Sequence, residues 1–370
     1  MVMNGILQNN AEPDIIGFLH AKASKEGVPL SGTFELTRNC CFNCKMCYVH
    51  DENCVIKKEL TSEQWLSVAR TARENGMLFL LLTGGEPLLR SDFNYLYKEL
   101  AKMGFVISIN TNGYLLDGEI AETLKAFPPS RLNISLYGAD GKAYRELCGG
   151  DYFDRVMKNI KDMQAAGMNI KLNCTVTPQN RNELRKINDL ANSLELNIKT
   201  VTYLYPPVRR SESFAGENTG RLSPEEAARY RLLWEEMYYD NFRDRLKSLV
   251  AGSQTEGEVR NKEHCSRCRA GSTCFWIDSV GNMSACGMLN GTENVLEKDF
   301  SECWKNVRSF TERVRLPKKC LDCKYKSFCN VCMAVCYTES GETGGLPKYV
   351  CRYSENLYNL ALEKLKGDAQ

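Results

Sequence analysis

Between residues 32 and about 205, short apolar runs alternate with stretches whose apolar positions recur at helical spacing. The runs predict strands at 33–36, 78–82, 106–110, 132–136, 171–176 and 199–204. The stretches between them carry helix punctuation. Thr61 and Gln64 form a capping-box pattern ahead of Trp65, Val68 and Ala72, and Gly76 stands as the stop. Ser91 opens a second helix bearing Leu96, Leu100 and Met103, ended by Gly104. A third runs from about Tyr152 to Ala166, with Gly167 at its end. Successive βα units predict an α/β fold with a parallel sheet, and six of them suit a partial (β/α)6 barrel.

The pattern changes after Pro206 and Pro207. A polar stretch is followed by a predicted helix from about Ser223 to Phe242 and a second reaching about Ala251. From Cys265 to Cys351 short β runs, Gly and Cys are interspersed. The chain therefore divides into an N-terminal extension (1–31), a barrel (32–205), connecting helices (206–262) and a small cysteine-rich domain (263–370).

Composition narrows the function. The net charge is +2 with Lys and Arg dispersed, which argues against a nucleic-acid partner. There is no apolar run of the ~18 residues a membrane helix needs, and no signal-peptide pattern opens the chain. A soluble cytoplasmic protein without a membrane partner is expected. The eighteen cysteines are the anomaly. In a reducing compartment, clustered thiols point to metal or redox groups rather than disulfides.

Cys40, Cys44 and Cys47 form C-x3-C-x2-C directly after the first predicted strand. Thiolates suit iron–sulfur clusters. Three ligands on one loop leave the fourth iron of a cubane open to a small chelating molecule. Zinc motifs usually pair two CxxC units, and no second pair lies nearby. The segment Asn39-Cys40-Cys41-Phe42-Asn43-Cys44-Lys45-Met46-Cys47-Tyr48 resembles the cluster loop of the radical S-adenosylmethionine (SAM) superfamily. Met46 replaces the commoner aromatic residue, and Cys41 is an additional thiol. Thr83-Gly84-Gly85-Glu86-Pro87 resembles the superfamily's GGEP motif, which implies that the backbone and Glu86 engage the SAM amino group. The resemblance further implies ribose contacts at Asn110 and Asn112 and a SAM-carboxylate contact at Ser135. Asn173 to Thr175, on the fifth strand, is a weaker match. All lie at C-terminal strand ends, where barrel enzymes gather their chemistry.

The C-terminal cysteines read Cys268-x5-Cys274-x6-Gly281-x4-Cys286, then Cys320-x2-Cys323-x5-Cys329-x2-Cys332, then Cys351. This resembles a SPASM domain. The resemblance implies one auxiliary 4Fe–4S cluster on Cys268, Cys274, Cys286 and Cys332, and another on Cys320, Cys323, Cys329 and Cys351. A zinc ribbon of shortened spacing is the competing reading. Many members place three residues before the last cysteine of the second motif. Here two precede Cys332, and Cys336 and Cys265 stand as spares. Cys54, Cys148, Cys174 and Cys303 read as small buried hydrophobes. His50 and His264 read as surface or packing residues, and Arg209–Arg210 as solvated. Tyr203 and Tyr205 fit either a cavity wall or the core.

The implied cofactors are SAM and three 4Fe–4S clusters, one binding SAM and two auxiliary. The implied chemistry is reductive cleavage of SAM to a 5′-deoxyadenosyl radical, hydrogen abstraction from a peptide or protein, and a net oxidation or crosslink. Flavodoxin or ferredoxin would supply the electron. Anaerobic sulfatase-maturing enzymes carry an Asp where Gly287 stands, which counts against that branch. The first predicted strand lies near residue 33, so leader recognition by other means, a separate leader-peptide-binding protein, or a smaller substrate are the open expectations. A dehydrogenase or epimerase acting on a small molecule is the alternative. A non-catalytic iron–sulfur protein would not need the SAM motifs.

Overall fold

The computed structural model describes residues 15–49, 58–206, 220–254 and 268–367. His50, Cys54, Arg209, Arg210, His264 and Cys265 lie outside them. Nine strands form one sheet: β1 (Ser31–Glu35), β2 (Phe79–Thr83), β3 (Val106–Thr111), β4 (Arg131–Ser135), β5 (Ile170–Thr175), β6 (Ile198–Val201), β7 (Cys274–Ile277), β8 (Asn282–Ser284) and β9 (Glu293–Asn294). Their order is β6-β5-β4-β3-β2-β1-β7-β8-β9. The first six strands are parallel throughout, each followed by helical chain, as βα alternation requires.

Alternate strand positions bury Leu80, Leu82, Ile107, Ile109, Leu132, Ile134 and Leu172 in the main core, and the intervening positions are more open. Asn110, Asn133 and Ser135 share this second, concave face, where Asn133 donates to Asn110 at 2.9 Å. The predicted strands fall within a residue or two of those formed, except the sixth. It ends at Val201, because the register Thr175↔Val201 exhausts its only partner.

The helix Ser62–Glu74 begins with the expected capping box at Thr61, and Gly76 follows it with φ +97°. The two helices expected after Ser223 form as Pro224–Tyr238, with its own capping box and ending four residues earlier than expected, and Phe242–Gln254. Extended backbone at Tyr239 separates them, and Tyr239 packs edge-on against Trp234 and Tyr238. These two helices and Lys348–Lys366 enclose a second core containing Leu232, Trp234, Leu246, Tyr353 and Leu357.

The C-terminal region joins the barrel sheet directly. Strand β7 pairs in parallel with β1, Phe34 opposite Ile277. A helix that sequence pattern did not reveal, Ile15–Glu26, reinforces this seam: its His20 Nδ1 lies 2.8 Å from Thr273 Oγ1.

Candidate active site

The loop carrying Cys40, Cys44 and Cys47 leaves the C-terminal end of β1 and is clamped from two sides. The turn after β2 grips one side, where Gly85 donates its N–H to Thr37 O at 2.7 Å and Glu86 donates to Asn39 O at 2.8 Å. A Cβ at Gly85 would sit 2.4 Å from Asn39 O and 2.6 Å from Arg38 O, and one at Gly84 would sit 2.5 Å from Thr37 O. The two glycines are thus demanded by the contact between turn and loop. On the other side, Asn43 N and Lys45 N donate to Cys148 O and Leu147 O at the end of the helix Gly141–Cys148. Phe42 stacks on Tyr152 with centroids 4.0 Å apart, and Tyr152 donates to Cys41 O.

Three thiols on one loop are the soft donors an iron–sulfur cluster takes, although among the described residues no three metal-ligating side chains converge on one point. Backbone N–H groups of Phe42 and Val49 point at the sulfurs of Cys40 and Cys47, both at 3.4 Å, which favours thiolate charge. Cys40 hydrogen-bonds to Cys41, and this bond, followed by that from Asn112, draws Cys41 down to about 6 against the opposing effect of burial. Asn112 Nδ2 reaches Cys41 Sγ at 3.4 Å and Cys40 Sγ at 3.8 Å. Cys148, read from sequence as a packing residue, is fully buried and hydrogen-bonded to Cys44. Cys174 and Cys303 are buried as expected.

Glu86 departs from its expected part. Its side chain is 0% exposed and its carboxylate is occupied by protein donors: Leu88 N at 3.1 Å, Thr111 Oγ1 at 2.8 Å and Asn112 N at 2.8 Å. Glu86 joins the end of β2 to the end of β3 and so fixes Asn112 beneath the cysteine loop. Asn110 and Ser135 face the concave side, and Ser135 is hydrogen-bonded to half-buried Tyr137.

The C-terminal cysteines gather in two neighbourhoods. Tyr205 is pushed up first by burial and then by the charges of Cys332, Cys286 and Cys268, and it hydrogen-bonds to Cys332. Cys274 feels Cys268 in the same way, after burial. Cys320 is pushed up to about 12 by burial, then by Cys351, Cys329, Cys336 and Cys323. Cys336 is fully buried and lies within electrostatic reach of both Cys320 and Cys332, so it stands between the two groups. Beside them, Tyr203 donates to Glu339 at 2.9 Å, and Arg221 pairs with Glu339 at 2.6 Å and covers the Tyr349 ring at 3.9 Å. Sequence pattern missed this ion pair. Its one trace was a glutamate inside a short apolar helix, Met333–Ser340, that follows a cysteine motif.

Residues 34–191 match the signature of the Radical SAM superfamily. The chain carries a radical SAM domain. Enzymes of that superfamily use SAM and a 4Fe–4S cluster. The "AdoMet-dependent heme synthase" of Methanosarcina barkeri is 29% identical over 84% of this chain and 92% of its own length. Among solved structures, the fold is shared with Streptococcus suis SuiB bound to precursor peptide SuiA, at TM-score 0.68 and 20% identity, covering 95% of this chain and 84% of that one. It is also shared with native anSMEcpe with bound AdoMet, at TM-score 0.71 and 18% identity, covering 92% and 99%. The radical SAM match thus runs from the end of β1 through β5 and includes the first cysteine loop. No helix among the described residues is long and apolar enough to cross a membrane.

Proposed function

We propose that this radical SAM enzyme carries three 4Fe–4S clusters and oxidises a peptide or protein side chain after hydrogen abstraction. When bound, SAM and the cluster of the first loop supply the abstracting radical. Cys40, Cys44 and Cys47 hold that cluster. The backbone at Gly84–Gly85, Asn110, Asn112 and Ser135 orient SAM, with Glu86 bracing Asn112. The auxiliary clusters take Cys268, Cys274, Cys286 and Cys332, and Cys320, Cys323, Cys329 and Cys351, within a C-terminal unit that follows a barrel over 32–205.

The reading is supported by the charges that reach Tyr205 from Cys332, Cys286 and Cys268, and by those that reach Cys320 from Cys351, Cys329, Cys336 and Cys323. Two closed clusters would accept electrons from the substrate, which makes a net two-electron oxidation the natural outcome. The shared fold with a precursor-peptide complex supports a peptide substrate. A reduced flavodoxin or ferredoxin would deliver the first electron, and a separate protein would present the peptide leader. A small-molecule substrate is the second reading, favoured by the near full-length similarity to a heme synthase.

Anaerobic reconstitution tests the cluster assignment. The full chain should hold about twelve irons at four per cluster, and the Cys40/Cys44/Cys47 triple Ala variant about eight. That variant should produce no 5′-deoxyadenosine under dithionite. A colourless, zinc-containing triple variant would reject the auxiliary clusters. Incubation with peptides encoded beside the gene, followed by mass spectrometry, decides between substrate classes.

A further inference from the structure

The concave face of the barrel carries charge as well as amides. Strands β4, β5 and β6 bury Leu132, Ile134, Leu172 and Ile198 on the helix side. Their intervening positions therefore share the other face with Asn133: Arg131 and Ser135 on β4, Lys171 and Asn173 on β5, and Lys199 on β6.

Register sets the height of each cation. Lys171 pairs with Asn133, two residues beyond Arg131, and Lys199 pairs with Asn173, two residues beyond Lys171. Arg131, Lys171 and Lys199 thus climb one step per strand toward the C-terminal ends. With strands about 4.8 Å apart and a rise of about 3.3 Å per residue, successive steps lie about 8 Å apart along the backbone. Asn173 pairs in turn with Ser135, so the top step stands level with Ser135, two strands away. Strand β6 is an edge of the sheet, and Lys199 is exposed on it beside exposed Val201.

What this ramp lacks is an anion. Strands β2 to β6 contain no Asp or Glu. Among the described residues, the side chains of Arg131, Lys171 and Lys199 make no ion pair and no hydrogen bond. On the outer helices, by contrast, Lys125 pairs with Glu122 and Lys158 with Asp162. The ramp cations repel one another instead. Burial, then the charges of Lys199 and Arg131, hold the Lys171 ammonium below its ordinary range. Like charges gathered on a concave surface attract anions. Spread along a line, they suit separate single charges better than one compact polyanion.

We propose that this ramp binds a substrate bearing two or more carboxylates several carbons apart, seated on Lys171 and Lys199 with Arg131 at the outer end. The proposal deepens the proposed function and rests on its placing of SAM at Ser135. The carboxylates belong either to a free polyacid or to neighbouring acidic residues of a peptide.

The test is calorimetric titration of the reconstituted, SAM-loaded full chain at low salt. The probes are suberate against its monoamide, and acetyl-Glu-Gly-Glu-amide against acetyl-Gln-Gly-Gln-amide. In at least one pair the diacid should bind at least about fivefold more tightly, as charge-assisted contacts allow, and added salt should narrow the gap. Lys171→Gln and Lys199→Gln should each erase most of that preference, and Lys199→Arg should keep it. Lys125→Gln, the same loss of charge on the outer helix Gly118–Ala126, should leave it unchanged. Lys171→Gln should unfold at no lower temperature than wild type, since the cation it removes is unpaired, so its weaker binding is not a folding defect. Preference in both pairs, or in suberate alone, identifies a free acid as sufficient. Preference confined to the peptide pair identifies a peptide source. Four results would overturn the proposal: no preference in either pair, a preference that survives both Gln variants on the ramp, an equal loss in Lys125→Gln, or pyrophosphate binding more tightly than either diacid. An earlier-unfolding Lys171→Gln would do so too, by showing that Lys171 serves the fold. SAM cleavage under dithionite, assayed on the same preparation, reports separately on the enzymatic reading.

Discussion

The carboxylate of Glu86 accepts the backbone N–H of Asn112 at 2.8 Å, tying the end of β2 to the end of β3 directly beneath the cysteine loop. Burial raises Glu86 to about 7 from 4.5, even though the N–H of Asn112, the hydroxyl of Thr111 and the N–H of Leu88 all favour its charge. Between those two pH values the native chain retains a proton that the unfolded chain releases. Stability of the cluster-free protein should therefore fall as pH rises from about 4.5 to about 7. Chemical denaturation of wild type and Glu86→Gln across that range checks this, with the variant showing the flatter profile. A wild-type profile that climbs over the same window would refute it.

Gly85→Ala puts a methyl group 2.4 Å from one backbone carbonyl oxygen and 2.6 Å from another. Neither Asn39 O nor Arg38 O can yield without moving the cysteine loop. A loss of about 1–3 kcal/mol in stability is expected from such overpacking, together with lower iron uptake by the first loop. Thermal unfolding and iron analysis measure the two effects, and an Ala variant with wild-type iron content would count against the clamp.

The barrel was legible because βα alternation and helix stops are local signals. Thr61 and Gly76 punctuate the chain at positions the structure bears out. The cysteine loop announced itself by spacing. What stayed hidden is non-local. Sequence shows a glutamate in a GGEP turn but not that Thr111 and Asn112 close over it. The pairing of β7 with β1 was equally invisible, since no local pattern in Cys274–Ile277 names a partner more than two hundred residues away. The helix that opens at Pro224 ends at Tyr238 rather than Phe242, where Tyr238 and Tyr239 pack around Trp234, a contact that periodicity does not show.

Glu339→Gln should be among the more damaging substitutions outside the cysteines. The side chains of Arg221 and Glu339 are 10% and 2% exposed, and Tyr203 donates to the same carboxylate. Removing the negative charge leaves a buried guanidinium uncompensated, at a cost of about 3–5 kcal/mol. Denaturant unfolding measures it. The Arg221→Met/Glu339→Leu double variant should recover much of the loss, because it removes both charges.

Cys332 and Cys336 separate by their surroundings. Cys332 lies with Cys268, Cys286 and Tyr205, whereas Cys336, fully buried in its helix, is within electrostatic reach of Cys332, Cys320 and Cys351 alike. Cys332→Ala should lose about four irons of the reconstituted total, and Cys336→Ala should keep them all. Iron analysis and electron paramagnetic resonance on the two variants decide the matter. The reverse pattern would move the ligand by one cysteine and leave two clusters in place.

Gly287 occupies the position where the sulfatase-maturing enzymes are expected to carry an Asp, and the structure shows why no side chain stands there. A Cβ at Gly287 would lie 2.7 Å from the ring of Trp276. The indole cannot retreat freely, since its N–H is bonded to the fully buried Glu35. Gly287→Asp should therefore destabilise the chain by about 1–3 kcal/mol through overpacking. Trp276→Ala should also destabilise, by removing a large packed ring and leaving Glu35 without its indole donor. Combined, the two changes relieve each other's clash, so the double variant should be more stable than the sum of the single losses predicts. A double-mutant cycle measured by denaturant unfolding reads that coupling. Strict additivity would show that the Trp276 ring does not determine which residue is tolerated at position 287.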